Sequence, residues 1–253
     1  MRTEVSAPII EINGLTHCYA GSTAGIHDFS LNIAKGSFVI LAGANGSGKT
    51  TLLRHLNGLL LPQKGTVHVD GVSVGADLKR ARSKVGMIFQ DADSQIVGET
   101  VYDDAAFGPE NLCWPPEQIE QTVATALEAV GLTHLIHQNP HLLSGGEKRR
   151  LAIAGILAMY SEIIVLDEPF ANLDYPGVRQ VLEQLLVLHG SGHTVIVSTH
   201  DLEKVIGYAD QVVVMHQGRI AVQGSPLDVI GSLEAYGIQL PCCIRWGACR
   251  NHG

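Results

Sequence analysis

The chain has 253 residues, 45% of them hydrophobic and 17% charged, with a formal net charge of −8. This is a globular balance, and the acidic sum argues against a general nucleic-acid binder, which needs a basic face for the phosphate backbone. No window reaches the roughly 18 apolar residues of a membrane span, and the N-terminus MRTEVSAPIIEING lacks the apolar core of a signal peptide. A cytosolic chain is expected, with any membrane role exercised through a partner.

Strand-like runs are predicted at 8–12, 26–33 and 37–42. The third ends FVILA and leads into Gly43-Ala44-Asn45-Gly46-Ser47-Gly48-Lys49-Thr50, which fits G-x4-G-K-[ST]; a helical pattern at 49–60 follows. That is the strand–loop–helix context a phosphate loop requires. The glycines let successive N–H groups face one anion, and the helix adds its positive end. Lys49 is placed to reach the β- and γ-phosphates, and Thr50 to offer a hydroxyl to Mg²⁺. A glycine-rich turn that binds nothing is the bland alternative, and the full octet in this context outweighs it.

A strand at 65–69, in LPQKGTVHVDG, has the turns of an antiparallel arrangement with the earlier strands. A run at 85–89 ends at Gln90. The wider stretch Gly86 to Leu112, GMIFQDADSQIVGETVYDDAAFGPENL, is neither a clean strand nor a clean helix. Between about 91 and 160 the strand signal vanishes, and helical patterns at 99–107, 116–130 and 145–159, punctuated by Pro109, Pro115 and Pro116, suggest a helical insertion. Within it, Leu143-Ser144-Gly145-Gly146-Glu147 combines S-x-x-E capping-box spacing with two glycines in a helix's first turn. Glycine there costs roughly 1 kcal/mol relative to alanine, and it opens backbone N–H groups to an anion.

The strand at 163–166 carries EIIVLDEP, ending in Asp167 and Glu168. Asp167 suits Mg²⁺ and Glu168 suits the polarisation of an attacking water. Paired acids after a strand are often solvated turns; combined with the phosphate loop they form a nucleotide site at the sheet's carboxyl edge. A helix at 174–189, a strand at 193–198 running to His200, a helix at 201–208 and a strand at 210–222 complete the pattern, with a short helix and a tail after about 225. The late alternation of helix and strand predicts a parallel sheet. No [NT]-K-x-D motif is present, which disfavours a GTPase and leaves kinases and ATPases open.

Five cysteines, Cys18, Cys113, Cys242, Cys243 and Cys249, do not suggest a disulfide framework. The last three, with His252, fall in PCCIRWGACRNHG, whose spacing is not a standard zinc pattern. His55, His134, His137 and His141 fit no ligand spacing and are expected to be surface or core residues.

LSGGE, with the phosphate loop before it and LDEP after it, resembles the ATP-binding subunit of ABC transporters over essentially residues 8–230. The resemblance implies an α/β fold: a P-loop NTPase ABC ATPase core with an antiparallel β subdomain and an inserted α-helical subdomain. The implied division is 1–90 with 161–230 for the core and β subdomain, 91–160 for the helical signature subdomain, and 231–253 for a C-terminal tail. It implies ATP and Mg²⁺ as cofactors and two subunits docked head to tail. Each ATP would then lie between Gly43–Thr51 of one subunit and Leu143, Ser144, Gly145, Gly146 and Glu147 of the other. By the same resemblance Tyr19 would stack on adenine, a position that a buried strand tyrosine fills equally well. Gln90 would touch Mg²⁺ and the lytic water, Asn172-Leu173-Asp174 would cross the dimer interface, and His200 would contact the γ-phosphate. The implied catalytic set is Glu168, His200, Gln90 and Lys49, with Thr50, Gln90 and Asp167 toward Mg²⁺. Phe170-Ala171-Asn172 departs from the family, which often has Thr and then small residues there.

VGMIFQDADSQIVGETVYDDAAFGPENL is similar to the corresponding stretch of energy-coupling factor (ECF) transporter ATPases, as are TLLRHLNGLL and LAIAGILAM. This implies an ATPase energising an importer of cobalt or nickel ions, or of a vitamin such as biotin, peripheral on the cytoplasmic face of the cell membrane. Its partners would be a transmembrane coupling subunit, a substrate-binding membrane subunit and a second ATPase, identical or paralogous, with no nucleic acid. Members acting on nucleic acid or ribosomes carry long coiled coils or two ATPase modules, and neither is here. A soluble assembly ATPase of the iron–sulfur cluster type stays open, since SGGEKRR is tolerable there.

Overall fold

The computed structural model describes residues 7–21 and 24–241. In chain order the elements are β1 (Pro8–Cys18), β2 (Gly25–Ala34), β3 (Phe38–Ala42), α1 (Lys49–Leu56), β4 (Lys64–Val69), β5 (Val72–Ser73), α2 (Leu78–Lys84) and β6 (Val85–Ile88). Then follow α3 (Val101–Asn111), α4 (Pro116–Ala129), α5 (Gly145–Ala158), β7 (Ile163–Asp167), α6 (Tyr175–Gly190), β8 (Thr194–Thr199), β9 (Gln211–His216), β10 (Arg219–Gly224) and α7 (Pro226–Val229).

The unbroken apolar runs FVILA, VGMI, IIVLD, TVIVST and QVVVMH become neighbours in one six-stranded sheet of order β10-β9-β3-β8-β7-β6. Its pairs are parallel except β9–β10. Continuous apolarity marks strands buried on both faces, and the alternation of side chains along each strand divides the core in two. Phe38, Ile40, Ile164, Leu166, Val195 and Val197 pack with α3, α4, α5 and α6. Val39, Leu41, Ile163, Val165 and Ile196 pack with Leu52, Leu53 and Leu56 of α1 and with the second sheet. That sheet is four-stranded, of order β2-β1-β4-β5, and antiparallel as LPQKGTVHVDG suggested. The fold is the expected α/β architecture, with an antiparallel layer and a helical layer on opposite faces of a largely parallel sheet.

Several elements differ from the sequence reading. The run 210–222 is two strands joined by Gln217-Gly218, both at positive φ (48° and 74°). A two-residue loop with both φ positive is the hairpin turn that matches strand twist. The 201–208 segment is no helix: Leu202, Val205 and Ile206 are buried at helical spacing, but only a single 3₁₀ turn, Ile206–Tyr208, forms before β9 begins. Conversely, LKRARSK forms α2, capped by the Asp77 side chain accepting from Arg80 N at 2.9 Å. The helix near 99–107 runs on to Asn111 and takes Pro109 inside its last turns. The cysteine-bearing tail from Cys242 lies outside the described residues.

Candidate functional site

The phosphate loop leaves the carboxyl end of β3 and enters α1 through Gly48, whose φ of 104° is open to glycine and strained for other residues. At Gly43 a Cβ would lie 2.5 Å from both Met215 O and Ser47 Oγ, so the loop closes on itself only with glycine there. Ser47 N donates to Ala44 O at 3.1 Å, and Gly218 N at the β9–β10 turn donates to Ser47 O at 3.0 Å. His27 N donates in turn to Gly218 O at 2.9 Å, which ties the loop to β2.

Lys49, 7% exposed, donates from Nζ to Gly43 O at 2.7 Å and Ala44 O at 3.4 Å, and lies 3.6 Å from Glu168 Oε1. Thr50 Oγ1 donates to Asp167 Oδ2 at 2.5 Å, while Ser198 on β8 donates its hydroxyl to Asp167 Oδ1. Each oxygen of the buried Asp167 carboxylate thus receives a hydroxyl. Glu168 turns the chain off β7 at a φ of 48°, a left-handed conformation that costs a non-glycine residue on the order of 1–3 kcal/mol. Its N–H donates to Ser198 O at 3.0 Å, and its carboxylate meets His200 Nδ1 at 3.0 Å through both oxygens. A strained backbone held at both ends aims one carboxylate into the cleft.

Tyr19, Asn45, Gly46, Ser47, Gly48, Lys49, Thr50, Thr51, Gln90, Asp167 and Glu168 line one cleft of about 200 Å³, together with Ala24 and Gly25. Tyr19 projects a half-exposed ring whose hydroxyl lies 3.2 Å from Thr51 Oγ1 and which meets the His17 ring nearly perpendicularly, with centroids 5.2 Å apart. Half-exposed just after β1, Tyr19 is not a buried strand tyrosine. His200 borders an adjoining hollow with Ala44 and Asn45 and reaches the cleft through Glu168. His55, expected in the surface or core, is fully buried beneath His17, and burial pulls its imidazole below the usual value.

Leu143, Ser144, Gly145, Gly146 and Glu147 do not line this cleft in the same chain. Ser144 caps α5 with a full capping box: its N–H and hydroxyl donate to Glu147 Oε2 at 2.8 and 2.7 Å, and Glu147 N donates back to Ser144 Oγ at 3.3 Å. Those bonds hold the Glu147 carboxyl below its usual range. Glycine at the first two helical positions leaves the helix N-terminus bare of side chains. Asn172, at a φ of 60°, and Asp174 are exposed; Asp174 also caps α6, accepting from Gly177 N at 2.9 Å. Leu173 reaches back to the signature, where a Cβ on Gly145 would lie 3.1 Å from its Cδ2.

Two site residues escaped the sequence reading. Ser198 orients Asp167, and its signal was a polar residue ending an otherwise apolar strand. Arg149, in KRR after the signature, is 4% exposed and donates from Nη1 to Phe89 O at 2.7 Å and from Nη2 to Gln90 O. Burial lowers its pKa, with Asp91 and Asp167 acting in the opposite sense.

The arrangement provides a glycine-lined anion cradle at a helix N-terminus, a buried lysine, a hydroxyl–carboxylate pair of hard oxygen donors and a carboxylate oriented by an imidazole. This is what phosphoryl transfer from a nucleoside triphosphate to water requires. The ABC transporter family profile matches residues 26–171. An ABC transporter ATP-binding protein of Halobacterium salinarum is 49% identical over 233 residues, covering 92% of this chain and 100% of that protein. The energy-coupling factor transporter ATP-binding protein EcfA of Methanocaldococcus jannaschii is 45% identical over 229 residues, covering 89% of this chain and 82% of that one. Among solved structures, cbiO1 of Clostridium perfringens, described as part of the ABC transporter complex cbiONQ, superposes with a TM-score of 0.81 at 35% identity, covering 90% of this chain and 93% of that one. The chain belongs to the ABC transporter family, as an ATP-binding subunit that hydrolyses ATP.

Proposed function

We propose that this chain is the ATPase of an ECF-type importer, peripheral on the cytoplasmic face of the cell membrane, and that its cargo is cobalt or nickel ions or a vitamin such as biotin. The observation that carries this reading is a groove of about 290 Å³ beside the nucleotide cleft, lined by Met87, Phe89, Ile96, Val97, Phe107 and Met159 among others. Val97 and Phe107 are half-exposed apolar residues on its rim. The groove is cut between α5, which starts at the signature, and the segment leaving β6 through Gln90. A transmembrane coupling subunit presenting an apolar helix there would bear on the nucleotide site directly. The energy-coupling factor and cbiONQ relatives support the same partner set, completed by a substrate-binding membrane subunit and a second ATPase, identical or paralogous; no nucleic acid is involved.

In this mechanism the amides of the phosphate loop and the positive end of α1 hold the triphosphate, with Tyr19 stacked on the base. Lys49 exchanges its carbonyl partners for phosphate oxygens. Glu168 orients a water and takes its proton as the water oxygen bonds to the γ-phosphorus and the bond to the leaving ADP oxygen breaks. His200 holds the Glu168 carboxylate and the γ-phosphate in one register. Mg²⁺ would be held by Thr50 and Asp167, whose oxygens already sit side by side, with Gln90, and supplies neutralising charge at the phosphates. Leu143–Glu147 would close over the ATP of the opposite subunit, and Asn172–Asp174 would line that interface. The proposed division follows these roles: 1–90 with 161–230 as core, 91–160 as the helical signature subdomain, 231–253 as tail.

The test is purification of the tagged chain from detergent-solubilised membranes, with its companions identified by mass spectrometry. A multi-span membrane protein and a small substrate-binding membrane protein are expected, together with ATP-dependent uptake of labelled cobalt, nickel or biotin by cells expressing the set. Iron–sulfur scaffold proteins in their place would overturn the importer reading in favour of an assembly ATPase.

A further inference from the structure

The segment after β6 is irregular, yet it must present Gln90 to the cleft in a fixed direction. A loop without a neighbouring strand leaves carbonyls that something else must satisfy. Here side chains do so from two sides. Gln95 folds back, accepting from Phe89 N at 2.7 Å and donating to Met87 O at 3.1 Å. From α5, Arg149 spans the carbonyls of Phe89 and Gln90 with the two arms of its guanidinium, and the adjacent Lys148 pairs with Asp93. A buried guanidinium is costly unless its donors are used, and the planar fork matches two oxygens at once where lysine offers a single point.

We infer that Arg149 is a positioning residue for Gln90. By fixing the Phe89 and Gln90 carbonyls it fixes the direction in which the Gln90 side chain leaves the backbone toward Thr50 and Asp167. Because α5 begins at Ser144-Gly145-Gly146, a tilt of the signature helix is passed to Gln90 through two hydrogen bonds. Lys148 and Ala152 of the same helix line the groove with Phe89, so a partner that displaces α5 is felt at Gln90 too. The kinetic part of this inference rests on the reading of Gln90 as a nucleotide-facing residue; the structural part does not.

The test uses the full-length chain with Arg149→Met, which keeps length but cannot donate, and Arg149→Lys, which keeps the charge and one point of contact, each with and without Gln90→Ala. Hydrogen exchange over residues 87–97 should accelerate about 10-fold or more in Arg149→Met and by less in Arg149→Lys, with β3 and α6 unchanged. In steady-state assays Arg149→Met should lower kcat on the order of 10- to 100-fold while shifting KM less than about threefold. In the Gln90→Ala background the further loss should shrink below about threefold, because both changes act at one point. Unchanged exchange over 87–97 would overturn the inference, as would fully multiplicative losses in the double variant. A Gln90→Ala variant with undiminished kcat would overturn the role of Gln90 and leave the clamp to be decided by exchange alone. If Arg149→Met fails to fold, Arg149→Lys carries the exchange test.

Discussion

Replacing Glu168 by glutamine isolates the chemistry from the fold. The side chain keeps its shape and a polar end for His200, and loses the ability to take a proton from water. General-base catalysis contributes about 10²- to 10⁴-fold, or roughly 3–5 kcal/mol in the barrier. The structural cost is smaller. Breaking a buried ion pair costs about 3–5 kcal/mol when the remaining charge is orphaned. Lys49 is not orphaned, since Gly43 O at 2.7 Å and Ala44 O at 3.4 Å continue to accept from it. His200, at 60% side-chain exposure, has both the glutamine amide and solvent to bond. The stability loss should therefore stay below about 2 kcal/mol, or a few degrees in Tm for a chain of this size. Phosphate release at saturating ATP should fall at least about 100-fold, and gel filtration with ATP should show a persistent dimer. Turnover within about tenfold of the wild type, in protein that melts normally, would refute the assignment of Glu168 as base.

Glu162 is held down to about 2 by hydrogen bonds from Lys35 and Lys84, against an ordinary carboxyl near 4.5. A depressed carboxyl stabilises above its unfolded pKa and loses that contribution as pH falls toward the folded value, so the window runs from about 4.5 down to about 2. The full shift would be worth roughly 3 kcal/mol, which partial exposure reduces to about 1; Glu162→Gln should cost that much in urea unfolding at pH 7, with the difference fading below pH about 4.5. A Cβ on Gly86 would lie 2.1 Å from Ile156 Cγ2 and 2.7 Å from its Cγ1, so Gly86→Ala should cost about 1–3 kcal/mol in denaturant unfolding, and the double variant with Ile156→Ala, which removes both of those atoms, should lose less than the two single costs added together. Tyr19→Ala should weaken ATP binding by about 1–3 kcal/mol, roughly 5- to 150-fold in Kd by calorimetry; unchanged affinity would remove Tyr19 from the base site.

The parts legible in the sequence are those whose chemistry is local. Gly43–Thr50, Leu143–Glu147 and Leu166–Glu168 each carry their meaning within a few residues, and the strands buried on both faces announced themselves as unbroken apolar runs. Periodicity failed where burial and backbone parted company. Leu202, Val205 and Ile206 have helical spacing because all three face the core, but no side chain caps the segment and Val205, at a φ of −131°, leaves the helical region, so only the turn Ile206–Tyr208 forms. LKRARSK buries only Ala81 and so shows no stripe, yet its cap makes it a helix. Arg149 was illegible for another reason: its partners are backbone carbonyls, which every residue has, some sixty positions away in the chain.

The staple between Gly218 N and Ser47 O bears on how the protein is made. The loop that will hold ATP leaves the ribosome early, at the end of β3. Its strand has no sheet partner until β8 and β9 have been synthesised, because β3 pairs with Thr194–Thr199 on one side and Gln211–His216 on the other. Its cradle is not locked until the hairpin turn at Gln217-Gly218 follows. Until those segments exist, the phosphate loop is a glycine-rich segment without the strand partners and the backbone staple that hold it in the folded chain. Long-range closure of this kind is slow to form. The floor of the loop is thus among the last contacts that the growing chain can make.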